Sequence, residues 1–207
     1  MDPFRTLTAS IAVASLLTLS VACARTPDAT STPSEAAAET EQTTLVQLQE
    51  RLLGFADSLR KPSDLSAAAF SSALGVSLTP IEPGSDFVQA REQPLAGGYS
   101  FFAQSTPDAG DFVFTEARFS LPGTKSPAQE PSPPCLWDAE EASQKLEAMG
   151  YKRGGQIDFQ QGWLRQHWRP IGDGKQGISA SLLIYRSGDG QASTECVYGI
   201  RFRGGNA

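Results

Sequence analysis

Residues 25–43, RTPDATSTPSEAAAETEQT, hold no aromatic and no branched aliphatic side chain. Such a stretch has too little apolar surface to offset the entropy lost on ordering it. It carries one basic and four acidic side chains. We read residues 23–43 as a disordered tether, which leaves residues 44–207 to form the folded part. That length suits one domain with a real core and is short for two.

Ahead of the tether, residues 6–24 carry no charge. Arg5 and the α-amine give a modest positive start, weakened by Asp2. The apolar heart, Ile11 to Leu19, has the length of a signal-peptide core. A membrane-spanning helix needs about 20 strongly apolar residues. Here six of the nineteen are Ser or Thr, and no basic cluster follows. Residues 1–22 are expected to be an export signal. Two cleavage readings stand. Ser20-Val21-Ala22-Cys23 resembles the lipobox of bacterial lipoproteins, with Ser20 where that family prefers Leu. The resemblance implies that Cys23 is diacylated and becomes the mature N-terminus. Alternatively, Ala22-Cys23-Ala24 is an A-x-A site cut before Arg25, giving a secreted or soluble periplasmic protein. The lipoprotein reading is preferred because the cysteine falls at the end of the apolar core.

The chain has three cysteines. Once Cys23 is acylated or removed, Cys135 and Cys196 remain, and an even pair in an oxidising compartment predicts a disulfide. There are 17 Lys and Arg against 23 Asp and Glu, a formal charge of −6. A nucleic-acid groove needs a basic surface, so no nucleic-acid partner is expected. Residues 44–150 hold 7 basic and 14 acidic side chains, and residues 151–207 hold 8 and 4. His167 is the only histidine, so neither a His-rich metal site nor a Cys₄ zinc site can form. No cofactor is expected. The sequence has no G-x-S-x-G elbow, P-loop or H-E-x-x-H motif, and no catalytic residue is nominated. Gly172-Asp173-Gly174 and Gly188-Asp189-Gly190 lack the alternating carboxylates of a calcium loop and read as turns.

Periodicity organises the rest. Leu45, Leu48, Leu52, Phe55 and Leu59 recur at helical spacing, with Thr44 and Gln47 as a capping box and Lys61-Pro62 as the stop. A short helix follows Ser63-Asp64 and closes at Gly75. Strands are expected at Val76–Ile81, Tyr99–Gln104 and Asp111–Leu121, then a proline-rich loop over 122–134. Cys135 opens a third helix, with Asp138 and Glu141 at its start and Gly150 at its end. Residues 155–170 look extended. Ile178–Arg186 and Ser193–Arg203 form a hairpin around Ser187-Gly188-Asp189-Gly190. The fold class is α+β: an N-terminal helical pair, and an antiparallel sheet with one packed helix and a C-terminal hairpin. No internal repeat is visible.

Trp163-Leu164-Arg165-Gln166-His167-Trp168-Arg169 is the most unusual stretch. Strand alternation puts Leu164 and Trp168 toward the core, and Trp163, Arg165, His167 and Arg169 on the other face. Trp and Arg are enriched at protein–protein hot spots, so this outer face is the expected partner-binding surface, with Trp163 and Arg165 as anchors. The acidic start of the third helix, Asp138 to Glu141, is the second choice.

The export signal, tether, α+β domain and single disulfide together resemble small periplasmic lipoproteins of Gram-negative bacteria. These include immunity proteins against periplasm-acting toxins and inhibitors of lysozyme-like enzymes. The resemblance implies a non-enzymatic binding protein that blocks a toxin or cell-wall hydrolase, held to the membrane by its N-terminal lipid. Ala24 in place of the aspartate that retains such proteins in the inner membrane implies sorting to the outer membrane. The other expectation is a structural or assembly lipoprotein of the envelope.

Overall fold

The last strand of the chain lies in the middle of the sheet. A computed structural model of the protein describes residues 42–108, 113–188 and 193–206. Among these are helices α1 (Leu45–Ser58), α2 (Ala67–Leu74) and α3 (Ala139–Ala148). The strands are β1 (Thr79–Pro80), β2 (Val88–Pro94), β3 (Ser100–Pro107), β4 (Val113–Ser120), β5 (Lys152–Phe159), β6 (Gly162–Ile171), β7 (Gln176–Ser187) and β8 (Thr194–Asn206). They form one sheet in the order β1-β2-β3-β4-β8-β7-β6-β5, with every neighbour antiparallel. The α+β expectation holds. The element order, helix and then a four-strand meander, occurs twice, and the two meanders meet where β4 pairs with β8.

The helix signals act as expected, with two shifts. Gln47 N–H donates to Thr44 Oγ1 at 3.1 Å, and Thr44 N–H donates to Gln47 Oε1 at 2.7 Å. This capping box satisfies two orphan donors at the start of α1. The cap of α2 is Ser66, which accepts from Ala69 N–H at 3.3 Å. Ser63 and Asp64 instead belong to a short 3₁₀ turn, Pro62–Leu65. There the Asp64 carboxylate accepts from the Arg60 and Lys61 amides at 2.8 and 3.1 Å. Gly75 closes α2 at φ 73°, a left-handed conformation open to glycine. Asp138 caps α3 by accepting from Glu141 N–H at 2.8 Å, so Cys135 lies just ahead of that helix.

The strands differ more. The expected strand at Val76–Ile81 is only Thr79–Pro80. β2 is not legible as a strand, because Ala90 is its one buried side chain and its register slips between Ala90 and Gln93. The extended stretch 155–170 is two strands joined at Gln160 and Gln161. Gly162 follows this turn under a tight constraint: a Cβ there would sit 2.0 Å from the Ile184 carbonyl oxygen. Asp111, Phe112, Asp189 and Gly190 lie outside the described residues, as do the export signal, Cys23 and the tether up to Glu41.

All three helices cover one face of the sheet. Phe55 of α1 meets Phe70 of α2 and Phe202 of β8, each at 5.1 Å between ring centres. The opposite face carries a smaller cluster of Leu164, Leu183, Tyr185, Cys196 and Tyr198, with no residue of α1, α2 or α3 in it. The proline-rich loop packs here through Ala128, and Leu136 just beyond it joins the contact. Tyr185 O–H donates to the Pro134 carbonyl at 2.6 Å and accepts from Leu136 N–H at 2.8 Å. Val197 N–H donates to the Trp137 carbonyl at 2.7 Å. The Cys135–Cys196 disulfide locks the same junction, with Cα atoms 5.4 Å apart.

The bridge spans 61 residues of sequence, a closure that restricts the unfolded chain by roughly 4 kcal/mol in the chain-entropy model. The Cys135→Ala, Cys196→Ala double variant should therefore lose about 4 kcal/mol of unfolding free energy in urea. A loss below about 1 kcal/mol would show that the loop is held by its hydrogen bonds alone.

Candidate functional site

Alternation on β6 holds, but the expected faces reverse. Arg165, His167 and Arg169 lie buried beneath the helices, and Trp163 is half-buried at the margin of the main core. Leu164 packs instead into the small cluster on the opposite face. Trp168 is half-buried over Gly177, where a Cβ would come within 2.1 Å of its ring. The expected outward presentation of Arg165, His167 and Arg169 is thus not realised.

The reason is the demand of the helix ends. The last carbonyls of a helix have no intrahelical partner and carry partial negative charge. Arg169 serves two helices at once. It donates to the Met149 carbonyl after α3 at 2.9 Å, and to the Ala56 and Leu59 carbonyls of α1, the former at 3.1 Å. Its guanidinium lies 4.4 Å from the centre of the Tyr151 ring. α1 has no basic residue in its own last turn, and β6 supplies one. Arg165 reaches the start of α3, donating to the Ala139 carbonyl at 3.3 Å and Ser143 Oγ at 3.1 Å. It also donates to Gln156 Oε1 at 3.0 Å and pairs with Glu195.

The acidic start of α3 joins this seam. Arg153 clasps Glu140 with bonds of 2.7 and 2.9 Å, and this pairing brings the Glu140 carboxyl down to about 2. Glu140 also lies 3.8 Å from Arg165. Glu141 pairs with Lys145 at 2.6 Å. The two stretches nominated from sequence are brought together as the polar fastening between helices and sheet.

The helix-free face holds a different arrangement, absent from the sequence reading. Glu116 on β4 is fully buried. Arg201 of β8 donates its Nε to Glu116 Oε2 at 2.7 Å, and its Nη2 lies 2.6 Å from the same oxygen. Arg118 Nε lies 2.6 Å from Oε1, and Gln104 Nε2 donates to Oε1 at 3.3 Å. Beside them a groove of about 740 Å³ opens between the 120–129 loop and the β5–β6 turn. Arg118, Phe102 and Tyr198 line it from the sheet, and Gln129, Gln160 and Gln161 from the two loops. The Tyr198 hydroxyl is sealed from solvent with no hydrogen-bond partner among the described residues. Burial pushes its pKa up. An unmet buried hydroxyl costs about 1–3 kcal/mol. The available signal was alternation on β4, which puts Phe114, Glu116 and Arg118 on one face and Thr115, Ala117 and Phe119 on the other.

Among the described residues no three His, Cys, Asp or Glu side chains are placed to hold a metal ion. Asp173 sits in a turn, its carboxylate accepting from Lys175 N–H at 3.1 Å. No described helix is long and apolar enough to cross a membrane. No family model, curated protein or solved structure matches the chain.

His167 lies within the helix-face seam. Burial pulls its pKa from the ordinary 6.5 down to about 4, and the Arg153 charge adds to the fall. The proton therefore binds the unfolded chain more tightly. The contribution of the neutral ring to stability is complete above about pH 6.5 and is lost as pH falls toward 4. By linkage this amounts to roughly 3 kcal/mol. His167→Leu should keep that part of its stability between pH 6.5 and 4 when unfolding is followed in urea. An unchanged pH slope would show that other groups carry the acid sensitivity.

Proposed function

We propose that this chain is an exported binding protein that acts by stoichiometric contact in the periplasm. Its anchor is an acylated Cys23, and its partner is a toxin or cell-wall hydrolase that works there. The groove on the helix-free face carries this reading. It is walled by a loop tied down through the Cys135–Cys196 disulfide and the Tyr185 hydroxyl. The cation that lines it, Arg118, lies against the buried Glu116 carboxylate. A recognition surface fixed in advance loses little freedom on binding, and that is where affinity at modest interface area comes from. With Arg165 and Arg169 engaged and His167 buried inside the fold, the binding surface in this proposal is the groove rather than β6. Trp163 faces a different task, stacking with the Arg186 guanidinium 4.7 Å from its ring centre.

Export supports the choice of partner. The signal delivers the domain to the compartment where cell-wall hydrolases act, and inhibition there needs only a rigid surface with a few anchors. The test is a titration of the purified chain into periplasmic and secreted hydrolase fractions of its own cells, with cell-wall lysis read by turbidity. Lysis should fall linearly to an end point at one chain per enzyme. Lysis unaffected by excess chain would contradict the proposal, and so would turnover of a substrate by the chain. Capture of an envelope complex with no loss of lytic activity would instead favour the assembly role.

A further inference from the structure

We infer that the groove on the helix-free face is a site for a peptide carboxylate, with Arg118 as its anchor. The inference rests on the binding reading above and names the part of a partner that the groove takes. It starts from a charge imbalance. Glu116 is fully buried and brings one negative charge, while Arg118 and Arg201 both lie on it. The cluster keeps one positive charge that nothing in it offsets.

That charge belongs to one arginine. Arg201 uses both Nε and Nη2 on the carboxylate. Its guanidinium also lies against two aromatic rings, 5.0 Å from the centre of Phe114 and 4.6 Å from that of Phe159. Arg118 comes closest to the carboxylate through Nε, and that nitrogen makes no hydrogen bond. Among the described residues no hydrogen bond engages its two Nη groups. Arg118 lines the groove, and among the described residues no acidic side chain lines it. The surplus charge therefore meets the open space on a planar fork with two idle donors, the geometry that a carboxylate fills with two parallel bonds. Tyr198 also lines the floor, but its hydroxyl is sealed from solvent and offers the ligand nothing.

The walls specify the rest of the ligand. Gln129, Gln160 and Gln161 are exposed carboxamides around the opening. Each offers a donor and an acceptor, the pairing that a peptide bond makes. Phe102 gives an apolar side for a short side chain. A single surplus charge suits a monoanionic carboxylate and would leave a phosphate dianion under-compensated. About 740 Å³ falls within the range of pockets that bury a ligand of a few residues. The carboxylate can come from a chain terminus or from an Asp or Glu side chain, and the chemistry at Arg118 is the same.

The test is a nitrogen-15 NMR titration of the full chain, following the Arg118 Nε–H and the Gln160 and Gln161 side-chain amides. The probes are three peptides: Ac-Ala-Ala-Ala-OH, Ac-Ala-Asp-Ala-NH₂ and Ac-Ala-Ala-Ala-NH₂. At least one of the two acids should shift all three signals, and which of them does identifies the source of the carboxylate. The neutral amide should leave the signals in place. Arg118→Gln should weaken the acid by about tenfold or more, the loss of a charge-assisted pair. Gln161→Glu, on the exposed turn away from the Arg118–Glu116 contact, should weaken it severalfold by repulsion. It serves as the readout if Arg118→Gln disturbs the fold. Equal shifts with the neutral peptide, or none with either acid at millimolar concentration, would overturn the inference. Neither result would touch the hydrolase titration, which tests the binding role separately.

Discussion

β8 is the interaction on which the structure depends. It pairs with β4 on one side and β7 on the other, and it is the only ladder joining the two four-strand meanders of the described structure. Its side chains reach the helices, the loop before α3 and both neighbouring strands. Phe202 enters the aromatic cluster under α1 and α2. Glu195 takes Arg165 beside the start of α3. Cys196 and the Val197 amide fix the proline-rich loop. Arg201 completes the pairing around Glu116. All of these contacts are distant in sequence, so the sheet cannot close until the end of the chain has been placed. High contact order of this kind slows folding, and the disulfide offsets part of the loop-closure cost once it forms.

The two faces of the sheet treat arginine in opposite ways. On the helix face, Arg165 and Arg169 add donors to backbone carbonyls at the helix ends, beside those that Tyr151, Arg60 and Ser143 already supply. On the helix-free face, two arginines share one carboxylate. A buried pair of this kind contributes little net stability, and its value lies in fixing geometry. Both central strands carry the same step, Arg118-Phe119 and Arg201-Phe202. Each phenylalanine faces the helices and each arginine the other side. The strand alternation that builds the core therefore also concentrates charge beside the groove.

Much of this was legible in the chain. Capping residues, apolar spacing and proline stops located α1 and α3, because those signals act within a few residues. Cysteine parity located the disulfide. β2 was hidden, since a strand beside a two-residue edge strand buries little and shows almost no alternation. The faces of β6 were misassigned for a deeper reason. Hydrophobicity alone sends Trp168 inward and arginine outward, yet the helix ends lie over β6 and their carbonyls draw the arginines in as donors. Glu116, Arg118 and Tyr198 escaped notice because their meaning comes from the β4–β8 pairing, which brings residues more than eighty positions apart into one cluster.

The division of labour between the two faces can be measured on a complex. Amide hydrogen exchange on the chain, free and bound to its partner, reports which backbone segments the partner covers. If the helix-free face is the recognition surface, protection rises at residues 120–129 and 160–161, and the amides of α1 and α3 exchange as they do in the free chain. Protection concentrated on α3 and its acidic start, with the groove loops unchanged, would place recognition on the helix face and contradict that division.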